Sequence, residues 1–178
     1  MDEALFRAVN GVSGPWWDAV MVAATSSTNW LAPLGLLVAA MVAHNPRRGG
    51  VAIVAAALAV GLGDALGGHL LKPLFSRPRP CEALEGVRVL MGCGAAYSLP
   101  SNHAINSFAV AGALGGVFPW LLLALVPVGL LVAVSRVAVG AHYVSDVAVG
   151  AALGFALGLL FAWMGRALLR RRARRADG

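Results

Sequence analysis

Charge is scarce in this chain: 12% of its residues are Asp, Glu, Lys or Arg, where soluble domains carry about a quarter. That shortage, with 59% hydrophobic residues and a mean hydropathy of +0.77, excludes an ordinary soluble globular protein. Cysteine is nearly absent. Neither Cys81 nor Cys93 belongs to a Cys-x-x-Cys pair, which argues against a zinc site. Both fall in the most polar internal loop. A disulfide, favoured if that loop is extracytoplasmic, and two unlinked thiols fit the spacing equally well. A cleavable signal peptide is also missing: "MDEALFRAVNG" is acidic, with no basic region ahead of an apolar core. The membrane segments are expected to act as targeting signals. No long repeat or low-complexity linker interrupts the chain, and 178 residues suit one domain.

What is present is a series of apolar runs measured against the ~20 residues that a spanning helix needs. Stretches 30–43, 51–71, 102–117, 120–134 and 143–168 read as five transmembrane helices, the fourth containing Pro127. The expected architecture is therefore an all-α polytopic membrane bundle. Residues 1–28 read as amphipathic interfacial helices, with Trp16 and Trp17 at headgroup depth. A sixth, short or re-entrant span over 15–27 is the alternative. On this reading residues 1–178 form one integral-membrane domain, with the bundle at 30–168 and a basic cytoplasmic tail at 169–178. Glycine and alanine recur in "GLGDALGG", "AGALGG" and "GAALGFALG", as expected of tightly packed helices in lipid.

The formal net charge of +6 is concentrated at the flanks of these runs, in "HNPRRGG" and in "GRALLRRRARRADG". That is the pattern of cytoplasmic loops, so both segments are placed on the cytoplasmic side; a nucleic-acid-binding tail is the minor alternative for the C-terminus. Alternation of five spans then gathers Lys72, Arg77, Arg79, His103, Arg136, His142 and Asp146 on the opposite face. The expected location is a bacterial-type cytoplasmic membrane, with this face toward the periplasm or exterior.

Three polar clusters share that face: "KPLFSRPRP", "LPSNHA" and "SRVAVGAHYVSD". Cations that leave water together call for an anion. Arg79, stiffened by Pro78 and Pro80, and Arg136 can each present a planar fork to phosphate oxygens, and Lys72 adds a point charge. Ser101 and Asn102 stand at a helix start, whose free N–H groups favour an anion. Capping is the other reading of Ser101, and headgroup snorkelling that of Arg77 and Arg88. His142 and Asp146 are four apart on one helix face, so the carboxylate can fix the imidazole tautomer and leave the other nitrogen free to attack phosphorus. His103 is free to protonate a leaving oxygen. Asp64 reads as a helix-to-helix hydrogen bond ahead of a catalytic role, His69 as lining a lateral opening, and His44 as interfacial on the far side.

The order and spacing of these clusters resemble the signature of the type 2 phosphatidic acid phosphatase family. Lys72 with Arg79-Pro80 matches its first part, and Ser135-Arg136, His142 and Asp146 match its third. Pro100-Ser101-Asn102-His103 matches its second, except that asparagine replaces the usual glycine. The resemblance implies a lipid phosphate phosphatase in which His142 forms a phosphohistidine, Asp146 orients it and His103 serves as acid and then base. Lys72, Arg79, Arg136 and the Ser101–Asn102 backbone would hold the phosphate oxygens. It implies no metal or other cofactor, since fixed cations take the metal's role, and as partners the membrane and a lipid phosphate within it, with no nucleic acid. Undecaprenyl diphosphate and phosphatidylglycerophosphate are the expected substrates, with phosphatidate a third. A lipid-phosphate binder or transporter and a haloperoxidase-like chemistry are the competing classes.

Overall fold

The computed structural model describes residues 1–94 and 97–176. Among them there is no strand; every regular element is helical. Helices α1 (Asp2–Asn10) and α2 (Pro15–Thr25) open the chain, and a single 3₁₀ turn leads into α3 (Leu31–His44). α4 (Pro46–Ala65) starts with Pro46 in its first turn, and the Asn45 side chain accepts the Arg48 N–H at 3.0 Å, a cap that lets chain direction reverse at "HNP". α4 continues through a π turn at Leu66–Leu71 into the short α5 (Lys72–Phe75), and α6 (Pro80–Ala83) follows. After the polar loop come α7 (Asn102–Val117), α8 (Leu122–Ala138) and α9 (Val144–Ala176).

Four stretches are long and apolar enough to cross a membrane: Ser27–His44, Pro46–Ala83, Pro119–Ala138 and Val144–Arg171. They correspond to the first, second, fourth and fifth expected spans. The expected third, α7, has the expected bounds and is shorter than each of these four stretches. At 16 residues it is about 24 Å long, less than a full crossing. It lies inside the bundle, packed along α9, α4 and α8, with most of its residues buried. Its apolar composition answers to neighbouring helices rather than to lipid. α2, with 11 residues, is too short to span and packs on the end of α8.

The α7/α9 contact is made by glycines. A Cβ on Gly150, Gly154 or Gly158 would land 2.6, 2.0 or 2.4 Å from the backbone carbonyl oxygens of Ser101, Ile105 and Ala109. The two backbones therefore touch, as small residues at four-residue spacing allow. One apolar cluster fills the end of the bundle where α7 begins, with Phe6, Phe108, Val137, Tyr143 and Val147. A second, with Met41, Leu114, Phe118 and Ala162, fills the other end. At that second end Arg47 of α4 and Leu168 and Leu169 of α9 line one groove, so the two basic flanks lie together. Arg48 there donates to Val117 O at 2.6 Å and stacks over Phe118.

α1 lays Phe6 into the first cluster, its ring 5.7 Å from that of Tyr143, so part of its apolar face meets protein. Asn10, also buried, donates to Arg88 O and Ala138 O. Cys81 and Cys93 are joined in a disulfide.

Candidate active site

The segment after α8 delivers the first histidine. Gly140 takes φ +86°, and a Cβ there would meet Arg88 O at 2.6 Å, so a side chain at this turn is excluded twice over. The N–H groups of Ala141 and His142 fold back onto Arg136 O at 3.1 and 3.2 Å. His142 ends up 2% exposed, and Asp146, one turn into α9, is fully buried. The carboxylate is surrounded by donors. Its Oδ2 accepts the Tyr143 N–H at 2.8 Å and the Ser98 hydroxyl, and stands 3.6 Å from His142 Nδ1. Its Oδ1 accepts from Arg77 at 2.6 Å. Even its backbone is used: Ser101 N–H donates to Asp146 O at 3.1 Å, which hangs the "PSNH" turn on α9.

The other imidazole nitrogen faces a cation. Arg79, 6% exposed, donates to Ala141 O at 3.1 Å and lies 3.3 Å from His142 Nε2. This network assigns the proton to Nδ1, toward Asp146, and a lone pair to Nε2. Burial pushes the His142 imidazole down to about 4, helped by Arg79 and Arg136 and opposed by its hydrogen bond to Asp146. At neutral pH the ring is uncharged and nucleophilic.

Lys72, Arg136 and His103 complete the constellation. Lys72 is buried at the junction of the π turn and α5, a widened helix segment of the kind found at functional sites. It interacts electrostatically with Arg79, Asp64, Arg136 and Asp146. His103, in the first turn of α7, feels Arg136, His142, Lys72 and Arg79 in the same way. Arg136 donates to Thr25 Oγ1 at 2.5 Å, and its Nε has no partner among the described residues. Ser101 does not cap α7 with its side chain; its hydroxyl is buried and unpartnered among the described residues. Beside it, the first N–H groups of α7 have no helical acceptors. Sites expected from three separate motifs thus come together at one end of the bundle.

Two side chains expected to snorkel do otherwise. Arg77 turns inward, bridging Asp146 to Asp2 at 2.7 Å and to Ser145 Oγ at 2.7 Å, with its guanidinium 3.9 Å above the Tyr143 ring centroid. Arg88 bonds Asn10 O, Val12 O and Asp18. Arg77 finds its partners on α1 and α9, and Arg88 on α1, α2 and the turn between them.

Sequence reasoning missed Asp2, Ser98 and Ser145. Asp2 accepts the Ser145 N–H at 3.1 Å and the Ser145 hydroxyl at 2.5 Å, capping α9 from a distant segment. Nothing local in "MDEALF" signals that partner. Ser98, two residues before Pro100, carries the same lack of signal. Asp64, by contrast, makes the helix-to-helix hydrogen bonds expected of it, to Asn102 and Asn106.

Known proteins resemble this chain in sequence and in fold. The chain is 28% identical over 179 residues to lipid A 4'-phosphatase of Bacteroides thetaiotaomicron, covering 96% of this chain and 80% of the relative. It is 38% identical over 106 residues to decaprenylphosphoryl-5-phosphoribose phosphatase of Mycobacterium tuberculosis, covering 59% of this chain and 57% of that protein. The fold matches the crystal structure of Aquifex aeolicus LpxE with a TM-score of 0.66 at 26% identity, over 89% of this chain and 92% of that one. It also matches the transmembrane PAP2-type phosphatidylglycerolphosphate phosphatase of Bacillus subtilis, with a TM-score of 0.65 at 27% identity, over 96% and 85% of the two chains. Residues 50–170 match the PAP2 superfamily, and the chain belongs to that family as an all-helical, multi-pass membrane lipid phosphatase.

Proposed function

We propose that this phosphatase cleaves a lipid phosphate ester or diphosphate through a phosphohistidine on His142. The observation that carries the reading is the line Arg77–Asp146–His142–Arg79, which holds Nδ1 3.6 Å from a carboxylate and turns Nε2 toward the Arg79 guanidinium. In the first step Nε2 attacks phosphorus and the bond from phosphorus to the leaving oxygen breaks. Burial and the neighbouring cations push His103 down to about 4. The phosphate anion offsets those cations, so His103 is protonated when substrate binds and gives that oxygen its proton. In the second step His103 takes a proton from water as the hydroxide attacks, the P–N bond breaks and phosphate leaves. Lys72, Arg79, Arg136 and the N–H groups at Ser101 and Asn102 stabilise the charge that builds on the equatorial oxygens. These fixed cations supply the charge stabilisation that a divalent metal provides in other phosphotransferases.

The substrates we favour are undecaprenyl diphosphate and phosphatidylglycerophosphate. The relatives add two further classes to test, a lipid A carrying a 4'-phosphate and decaprenylphosphoryl-5-phosphoribose. All share a phosphate at the head of a long apolar anchor, which suits a charged site at one end of a lipid-embedded bundle. We place the site on the outer face of the cytoplasmic membrane and the C-terminal arginines inside. Two observations support this: the basic flanks lie at the opposite end from the site, and the site-end loop holds a disulfide, which persists in oxidising compartments.

The test is phosphate release by purified protein from that substrate panel, with EDTA present. His142→Ala is expected to abolish release, and His103→Ala to slow it by about 10²- to 10⁴-fold. Release that survives the His142 change, or that disappears with EDTA, overturns the mechanism. Relative kcat/KM across the panel names the substrate.

A further inference from the structure

Asn102 occupies the position where the resembling motif usually carries glycine, at the mouth of the phosphate cradle. Its side chain does not point into that cradle. Asn102 Nδ2 donates to Asp64 Oδ1 at 2.8 Å, and Asn106, one helical turn further, donates to both oxygens of the same carboxylate at 3.2 Å. Asp64 lies in the last turn of α4, just before the π turn, and interacts electrostatically with Lys72. The π turn closes over the amide. A Cβ on Gly67 would sit 3.3 Å from Asn102 Oδ1 and 2.8 Å from Ile105 Cδ1, so a side chain there would crowd both.

We propose that Asp64 is a positioning residue: it parks the Asn102 side chain on α4, so that the Asn102 backbone N–H meets the phosphate as a glycine's would. An asparagine at a helix start offers two alternatives, an amide that competes for the anion or one that is held elsewhere. A carboxylate eight residues before Lys72 and a bare glycine in the intervening π turn provide the second. The same carboxylate also holds Asn106 of α7, a contact between the helices that serves the fold. The proposal rests on reading Ser101 to His103 as the phosphate cradle.

A double-mutant cycle tests it. Wild type, Asp64→Ala, Asn102→Gly and the double variant are compared for kcat, KM and inhibition by orthovanadate, a mimic of the phosphoryl transition state, with thermal unfolding recorded for each. In the Asn102 background, Asp64→Ala is expected to lower kcat and weaken vanadate inhibition by about tenfold or more, as displaced catalytic groups do. In the glycine background, where no side chain needs parking, the same change is expected to cost less than about threefold. Asn106→Ala is expected to lower the unfolding temperature and leave vanadate inhibition in place. An equal cost of Asp64→Ala in both backgrounds overturns the proposal, because Asp64 then serves only the fold. Loss of vanadate inhibition in Asn102→Gly alone also overturns it, because the side chain is then needed rather than stored. Where Asp64→Ala fails to fold, Asp64→Asn in both backgrounds carries the same comparison. Failure of the underlying reading looks different: wild type itself is then insensitive to vanadate, or His142→Ala keeps its activity.

Discussion

His142 shows how much a single side chain's environment decides. An ordinary imidazole titrates near 6.5, whereas burial beside Arg79 and Arg136 takes this one to about 4. Formation of the phosphoenzyme is therefore expected to stay level from about pH 8 to 5 and to fall roughly tenfold per unit below about 4, as the attacking lone pair is protonated. Rapid-quench measurement with an activated aryl phosphate, whose leaving group needs no proton, isolates this step. An inflection near 6.5 would contradict the buried, Asp146-paired imidazole described above. His142, Asp146 and Arg79 were legible as a pair and a cation from short-range spacing, although His142 stands in the turn before α9 rather than on the helix face expected for it. Arg77, Asp2 and Ser98 were not. Their roles depend on partners 44 to 143 residues away, and an arginine beside a membrane reads by default as a snorkelling one.

At the scale of elements, the site depends on how closely α7 and α9 approach. Gly154 has no space for even a methyl group, since its Cβ would fall 2.0 Å from Ile105 O. Gly154→Ala is expected to destabilise the protein by about 1–3 kcal/mol through overpacking. It should also depress phosphate release by pushing His103 on α7 away from His142 beside α9. Thermal unfolding in detergent and turnover of the same sample check both, and an unchanged unfolding temperature refutes the tight contact. The run "GAALGFALG" announced close packing in the sequence. Its partner on α7 was hidden, because glycine spacing says which face is small and nothing about what meets it. The setting of α7 was hidden too: hydropathy cannot separate a helix wrapped in lipid from one wrapped in other helices. The π turn at Leu66–Leu71 leaves no periodic trace at all, yet it sets where Lys72 points.

The molecule as a whole is polarised, with the candidate site at one end and the basic flanks at the other. Alternation of apolar runs made this polarity readable before any coordinates, although one of the five runs, α7, is wrapped by other helices rather than by lipid. In intact cells, a membrane-impermeant thiol reagent is expected to label Glu85→Cys at the reaction end and to leave Arg171→Cys untouched until the cells are opened. The reverse pattern would invert the proposed orientation. The Asp2–Ser145 contact bears on how this polarised molecule comes into being. The pocket draws on Asp2, Arg77, Ser98 and Ser145, so its pieces leave the ribosome far apart in time. Asp2 stays without its α9 partner until the last span has entered the bilayer. A nascent chain stalled before that point would be inserted and helical yet chemically silent, and activity would switch on in a single late step of biogenesis.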